Sequence, residues 1–383
     1  MKHVAPLLVA ALVLAGCASD SRIERAAPTP LAEFKVEAEV KELWRTHIGF
    51  WGDASYLRLV PVLDGDTVYA ADARGRVGAF TADSGRRLWK TRLKLDVTGA
   101  TGVGADLVVV GTEKGDVIAL DKATGNEAWR ARVSSEVLAP PAAQAGVVVV
   151  QTVDGKVFGL SAKDGKRLWS HSRGEPGLSL RGTSAPLIVG EHVLTGFASG
   201  KIAVLQLRDG RLLWELPVAQ PRGRNEIERL VDVDAAPLVT PDMLFAASYQ
   251  GKVIAVNVGT GRIVWSRDVS TYNGMDMDRN NIYLSDEHGQ VLALDRRSGA
   301  SVWRQEKLRA RMLSAPTVVG GYVAVGDFEG YVHWLAADDG RFVARSKVSD
   351  APILAKAVAG GAGALYVAGQ DGVLSALRIG ANF

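Results

Sequence analysis

The sequence predicts an all-β protein, an eight-bladed β-propeller of four-stranded antiparallel blades closed by pairing of an N-terminal with a C-terminal strand. Three observations carry this expectation. A turn followed by a tryptophan strand recurs along the 383 residues. Each recurrence follows an apolar run and a glycine-turned hairpin. Hairpins outnumber the tryptophan motifs by one, and a matching strand is left over near the N-terminus. A repeat of about forty residues marks a propeller or solenoid, and one closed array makes a single domain of a chain that length alone would divide.

The motif reads Asp83-Ser84-Gly85-Arg86-Arg87-Leu88-Trp89 in its first copy. Further copies end at Trp129, Trp169, Trp214, Trp265 and Trp303, and a seventh, Asp339-Gly340-Arg341-Phe342-Val343-Ala344, has Ala where the others have Trp. The second strand of each unit is a continuous apolar run, as in Leu107-Val108-Val109-Val110 and Val147-Val148-Val149-Val150. Continuous runs predict strands buried on both faces, as expected where each blade lies between two others. The turn glycines are Gly75, Gly115, Gly155, Gly200, Gly251, Gly289, Gly330 and Gly372, because a tight hairpin needs the positive φ that glycine supplies. Pro61, Pro140, Pro186, Pro237 and Pro316 fall in the first strand of their units. Proline suits an edge strand or a strand start, such as the innermost strand beside a central channel.

The eighth hairpin, ending at Leu374-Ser375-Ala376-Leu377, has no motif strand after it. Val40-Lys41-Glu42-Leu43-Trp44 has the right ending to supply one, and that pairing closes the ring. The repeated Trp reads as packing between blades, its ring filling the wedge where sheets diverge. Leu88, Leu168, Leu213, Val264 and Val302 precede their Trp, which suggests a strand apolar on both faces. Ala344 calls for a substitute filler, with Phe342 the candidate.

The N-terminus is of another kind. Lys2 precedes an apolar stretch over residues 4–15, too short to span a bilayer and suited to a signal peptide. It ends in Leu14-Ala15-Gly16-Cys17, and Cys17 is the single cysteine of the chain, so no intrachain disulfide forms. Residues 1–16 read as a removed signal, 17–30 as a modified Cys and a polar, proline-containing tether, and 31–383 as the propeller. Six scattered histidines give no zinc spacing, a formal net charge of +3 is dispersed, and no basic stripe with interleaved aromatics suggests nucleic acid. Asp83, Asp121, Asp164 and Asp209 sit in turns, where Asp caps its own backbone. Gly102-Val103-Gly104 and Gly360-Gly361-Ala362-Gly363 join strands and open no helix, so neither reads as a phosphate cradle.

The Asp-x-x-Thr/Ser-Gly-x-x-x-Trp pattern resembles that of PQQ-dependent quinoprotein dehydrogenase propellers. The full set, a lipobox before eight repeats and two interrupting loops, resembles the BamB lipoproteins of the outer-membrane β-barrel assembly machinery over nearly the whole chain from Cys17. The loops are 176–182 and 225–237. This resemblance implies an N-acyl, S-diacylglycerol lipid on Cys17 and retention at the periplasmic face of the outer membrane. It implies a non-catalytic scaffold without cofactor or metal that binds the POTRA domains of BamA and assists insertion of outer-membrane proteins. Carried over position by position, the contacts are Leu178, Leu180, Arg181, Asp232 and Asp234. Two leucines supply an apolar anchor, and Arg with two carboxylates supplies directional contacts. An internal Arg181–Asp pairing and a strand start at Leu178 remain alternatives, and direct contact with unfolded precursors stays open. The competing class is a periplasmic PQQ-dependent dehydrogenase, which needs a Ca²⁺ site, a catalytic Asp and in many cases a vicinal disulfide that this chain, with its single cysteine, cannot make.

Overall fold

The computed structural model describes residues 27–49, 57–174, 183–221, 224–225, 228–271 and 273–381. Eight four-stranded antiparallel sheets form the ring of a β-propeller. Seven blades are built from consecutive strands, over 62–92, 97–132, 142–172, 187–217, 238–268, 275–305 and 317–347. The eighth takes three strands from 358–381 and its outer strand, Ala38–His47, from the other end of the chain. That closing pairing runs from Ala38 opposite Ala381 to His47 opposite Val373, with a bulge between Glu42 and Trp44. No helix among the described residues is long and apolar enough to cross a membrane.

The apolar runs are the second strands, and they are buried throughout: Leu107–Thr112 and Val147–Thr152 have no exposed residue. Seven of the eight hairpin glycines have positive φ. At Gly75 the need is double, because φ is +77° and an added Cβ would lie 2.2 Å from the Leu95 carbonyl oxygen. Blade five departs from this pattern. There Gln250 takes the left-handed conformation (φ 44°) in place of Gly251. The five prolines immediately or closely precede the inner strands, which begin at Val62, Ala142, Leu187, Leu238 and Thr317, so they sit at strand starts.

The tryptophans lock the seams. The indole Nε1 of Trp44, Trp89, Trp129, Trp169, Trp265 and Trp303 donates to a carbonyl in the next blade, at 2.8–3.0 Å. Each ring lies against that blade's turn glycine; a Cβ on Gly125, for example, would meet Trp89 at 2.5 Å. Room for the indole comes from the small residue opposite it on the third strand: Ala79, Ala119, Gly159, Ala255 and Ala293. Blade four has Val204 opposite Trp214. Its Trp214 is only half-buried, and no atom lies within 4 Å of where a Cβ on Gly261, the next turn glycine, would be. Blade seven swaps the pair, with Trp334 on the third strand opposite Ala344. The fully buried Trp334 is therefore the filler expected of Phe342.

One expectation is corrected. Leu88, Leu168, Val264 and Val302 are 45–52% exposed. In these four blades only the Trp-bearing face of the outer strand is pressed into the seam and the residue before Trp points outward, whereas Leu213 of blade four is partly buried against the core as expected.

The chain ahead of the closing strand is fastened to blade seven. Thr29 Oγ1 donates to the Lys307 and Arg309 carbonyls, and Arg311 Nη1 donates to the Thr29 carbonyl at 2.9 Å. Arg345 donates to the Ala32 carbonyl at 2.8 Å and lies over the Phe34 ring, which stacks on Phe342 at 5.3 Å. The Glu37 carboxylate meets Arg341 at 3.0 Å. Beneath this strap, Arg311 Nε donates to Asp327 Oδ2 at 2.8 Å, and the same oxygen lies 2.8 Å from His333 Nε2. All three side chains are at most 2% exposed, while Arg311 also reaches Glu329 nearer the surface.

Candidate partner-docking surface

In an antiparallel blade the second hairpin and the connection to the next blade emerge at the same end. The backbone bonds place them together: Leu93 N–H donates to Gly75 O, Val133 to Gly115, Arg173 to Gly155 and Val218 to Gly200. The other end carries the Asp turns. There Asp121 Oδ1 accepts from the Thr124 N–H and hydroxyl, and Asp295 does the same for Ser298. These turn carboxylates are held below the usual range, chiefly by those hydroxyl bonds. They are occupied as caps.

The connection face is uneven. Residues 218–237 form the longest connection, 173–186 and 48–61 come next at equal length, and others, such as 93–96 and 269–274, are short. The first interrupting loop, within 173–186, leaves blade three through Arg173, whose guanidinium pairs with Glu215 of blade four. Burial favours the neutral acid at Glu215, but Lys201 at 3.0 Å and Arg173 outweigh it and hold the carboxyl below its ordinary value. At the far end of the loop, Thr183 Oγ1 accepts from Ala139 N–H at 3.1 Å. Leu178, Leu180 and Arg181 lie outside the described residues, as does Cys17.

The second loop has a polar crest and a buried root. At the crest, Glu228 N–H donates to Asn225 Oδ1 at 2.9 Å. The Glu228 carboxylate accepts from Asn225 Nδ2 and from Arg224 N–H. This reciprocal arrangement leaves Arg224, Asn225, Glu228 and Arg229 exposed. The chain then dives inward through Leu230, Val231, Val233 and Ala235, each at most 8% exposed. Val233 N–H donates to Phe197 O, and Asp232 O accepts from Tyr249 N–H. Val231 and Val233 pack close against the Gly200 and Gly196 turns of blade four.

This geometry separates the two carboxylates expected at the surface. Asp232 is fully buried and Asp234 is partly buried. The exposed charges are those of the crest, which sequence reading passed over; the Asn-x-x-Glu spacing of Asn225 and Glu228 was the available signal. The roots of the two loops meet, since Ser184 Oγ donates to Ala235 O at 3.4 Å. The two roots therefore stand side by side on one face. Among the described residues no group of three His, Cys, Asp or Glu side chains is placed to hold a metal ion.

Comparison with known proteins gives a family and a fold. A family profile described as outer membrane protein assembly factor BamB matches residues 73–305. The chain is 51% identical over 378 residues to outer membrane protein assembly factor BamB of Pseudomonas aeruginosa, covering 99% of both. It is 35% identical to that of Escherichia coli K12, covering 97% of this chain and 98% of the other. The crystal structure of BamB from Moraxella catarrhalis superposes with a TM-score of 0.81 at 28% identity, over 89% of this chain and 100% of that one. Quinohemoprotein alcohol dehydrogenase from Comamonas testosteroni shares the fold alone, with a TM-score of 0.69 at 14% identity over 88% of this chain and 76% of that one.

Proposed function

Because the chain belongs to the BamB family of outer membrane protein assembly factors, we propose that it is a non-catalytic scaffold of the β-barrel assembly machinery. In this reading a lipid on Cys17 holds the propeller at the periplasmic face of the outer membrane. The paired loops 173–186 and 218–237 grip the POTRA domains of BamA and assist folding and insertion of outer-membrane proteins, with no cofactor or metal required. The observation that supports this docking surface is the joining of the two loop roots by Ser184 and Ala235, which sets the starting points of both loops beside one another.

The roles of the five residues then differ. Leu178, Leu180 and Arg181 act as the contacts of the first loop. Asp234, partly buried, contacts the partner from the second. Asp232, fully buried, acts by holding the shape of the loop. The test is binding of residues 18–383 to the purified periplasmic region of BamA. Leu178→Ala/Arg181→Ala should weaken it by about tenfold or more, as loss of anchor residues does. Asp234→Ala should weaken it less. Wild-type affinity in the folded double variant would move the interface elsewhere. No binding by the wild type, together with alcohol oxidation on adding PQQ and Ca²⁺, would replace the scaffold with a quinoprotein. Cys17→Ser should release the protein from the membrane fraction; membrane retention would refute the anchor.

A further inference from the structure

The outer half of blade one differs from its counterparts in a way that packing does not explain. Its third and fourth strands, Arg76–Thr81 and Arg87–Arg92, place Arg76 opposite Arg92, Gly78 opposite Lys90 and Phe80 opposite Arg87. Four cations thus share one face of one strand pair. In blade two the equivalent positions hold Asp116 opposite Arg132, Ile118 opposite Arg130 and Leu120 opposite Glu127. There Arg132 pairs with Asp116 and Arg130 with Glu127. Like charges directly opposite one another destabilise a sheet, and blade one has Arg against Arg where blade two has a salt bridge.

The neighbourhood does not neutralise them. Arg76 pairs with the buried Asp72 at 3.2 Å. Arg87, Lys90 and Arg92 have no carboxylate oxygen within 4.0 Å among the described residues. Gly78 has no side chain where blade two has Ile118, and the Phe80 ring covers it, 2.9 Å from where a Cβ would be. Beside these cations lies an open cavity of about 450 Å³ lined by Arg76, Arg87, Lys90, Thr91 and Arg92. Partial burial, followed by the nearby Arg76, holds the Lys90 ammonium below its ordinary pKa, and negative charge brought beside it would oppose that shift.

Blade seven shows what such a place can hold. Its equivalent positions are Tyr331 opposite Lys347, His333 opposite Arg345 and Leu335 opposite Phe342. That face is covered by this chain's own extended strap, through Ala32 and Phe34 on Arg345 and Phe342. Blade one offers the same strand pairing with a basic lining, and no strap fastened as on blade seven is seen there among the described residues. The geometry points to a docking groove on the outer edge of blade one for an extended acidic peptide segment of a partner protein. Six strand residues span about 20 Å, so the groove takes about six residues, with carboxylates on alternate positions meeting Arg76, Lys90 and Arg92. This surface lies on blade one, apart from the loops of blades three to five.

The test uses the full mature chain and a fluorescent peptide alternating Glu and Ser, followed by anisotropy. A Gln/Ser peptide is the uncharged control. Lys90→Glu/Arg92→Glu should weaken Glu/Ser binding by about tenfold or more, whereas Lys163→Glu/Arg167→Glu, an exposed pair on blade three, should change it by less than about twofold. Lys90→Gln/Arg92→Gln, which adds no repulsion, should fall between and stands in if the reversal misfolds. Equal binding of the two peptides, or equal loss in the blade-three control, overturns the proposal. Inorganic phosphate and a soluble short-chain phosphatidylglycerol serve as competitors. Displacement by either at the same total charge as free Glu/Ser peptide would mean a simple anion or headgroup site and would also overturn it.

Discussion

Replacing Trp129 with Phe removes a donor and part of a ring from a seam while leaving the strand intact. Trp129 is 7% exposed, and its Nε1 donates to the Ala162 carbonyl at 2.8 Å. Phe leaves that carbonyl without its donor, a cost of about 1–3 kcal/mol. The missing ring portion opens a void over Gly165, whose backbone now lies against the indole, and adds about 1 kcal/mol. The expected loss is about 2–4 kcal/mol, read as a lower midpoint in urea with an unchanged slope. Trp214→Phe is the internal control. With Val204 opposite it and open space at Gly261, Trp214 makes neither the glycine contact nor a hydrogen bond among the described residues, so its loss should cost about 1 kcal/mol or less. Equal destabilisation by the two substitutions would refute the reading of Trp as a seam lock set by the residue opposite. A large effect at Trp214 alone would invert it.

Arg311→Ala should destabilise by about 3–5 kcal/mol, because it strands the buried Asp327 without its guanidinium partner; limited proteolysis should then cut within 29–37, and unchanged protection would show that Arg311 does not hold the strap. Phe34→Ala should loosen the same segment with a smaller loss, about 3 kcal/mol at most for an aromatic packed on one face, measured by the same digestion. His333 gives a pH signature. Burial outweighs Asp327 and holds its imidazole below the ordinary value, and Arg345 Nε donates to its Nδ1 at 3.3 Å, which fits a neutral ring. A histidine neutral in the fold and charged in the unfolded chain loses stability as pH falls below about 6.5, until the folded value is passed. His333→Gln should therefore flatten the stability profile between about pH 7 and 5.5, whatever its effect at neutral pH. Asp72 and Asp286, whose carboxyls burial raises, act in the opposite sense toward acid, and the difference between wild type and variant cancels them.

The parts of the fold that could be read from sequence are those where one residue type answers a geometric demand. Gly75 and its counterparts mark hairpins because a carbonyl and a positive φ exclude side chains there. The ring closure was legible because Leu43-Trp44 repeats a local pattern far from its partner strand. Periodicity ceases to inform where the chain is held by side chains alone. The strap over 29–37 has no strand pattern, and its fastening depends on Arg311 and Arg345, some 280 to 310 residues away. The same limit explains Asp232. A loop carries no alternation to say which residue turns inward, and a carboxylate beside Val231 and Val233 reads as surface until the Phe197 and Tyr249 contacts are known. Leu88 and its equivalents were misjudged because apolarity on an outer strand does not distinguish the seam side from the water side.

The closing strand also has consequences for how the chain reaches its native state. Ala38–His47 is among the first parts of the propeller to be synthesised, and Val373–Ala381, its partner, is the last. Seven blades can form by local hairpin growth, but the eighth must wait for the two ends to meet. Bringing together positions more than 300 residues apart costs about 5 kcal/mol in loop-closure entropy before the ladder repays it, and such distant pairing slows folding. A chain ending before Val373 leaves Ala38–His47 as an unpaired edge beside an unfinished blade, the kind of surface that recruits other strands. Once formed, the same pairing ties both ends of the ring into a single sheet, so that neither end can leave without breaking the ladder that holds the other.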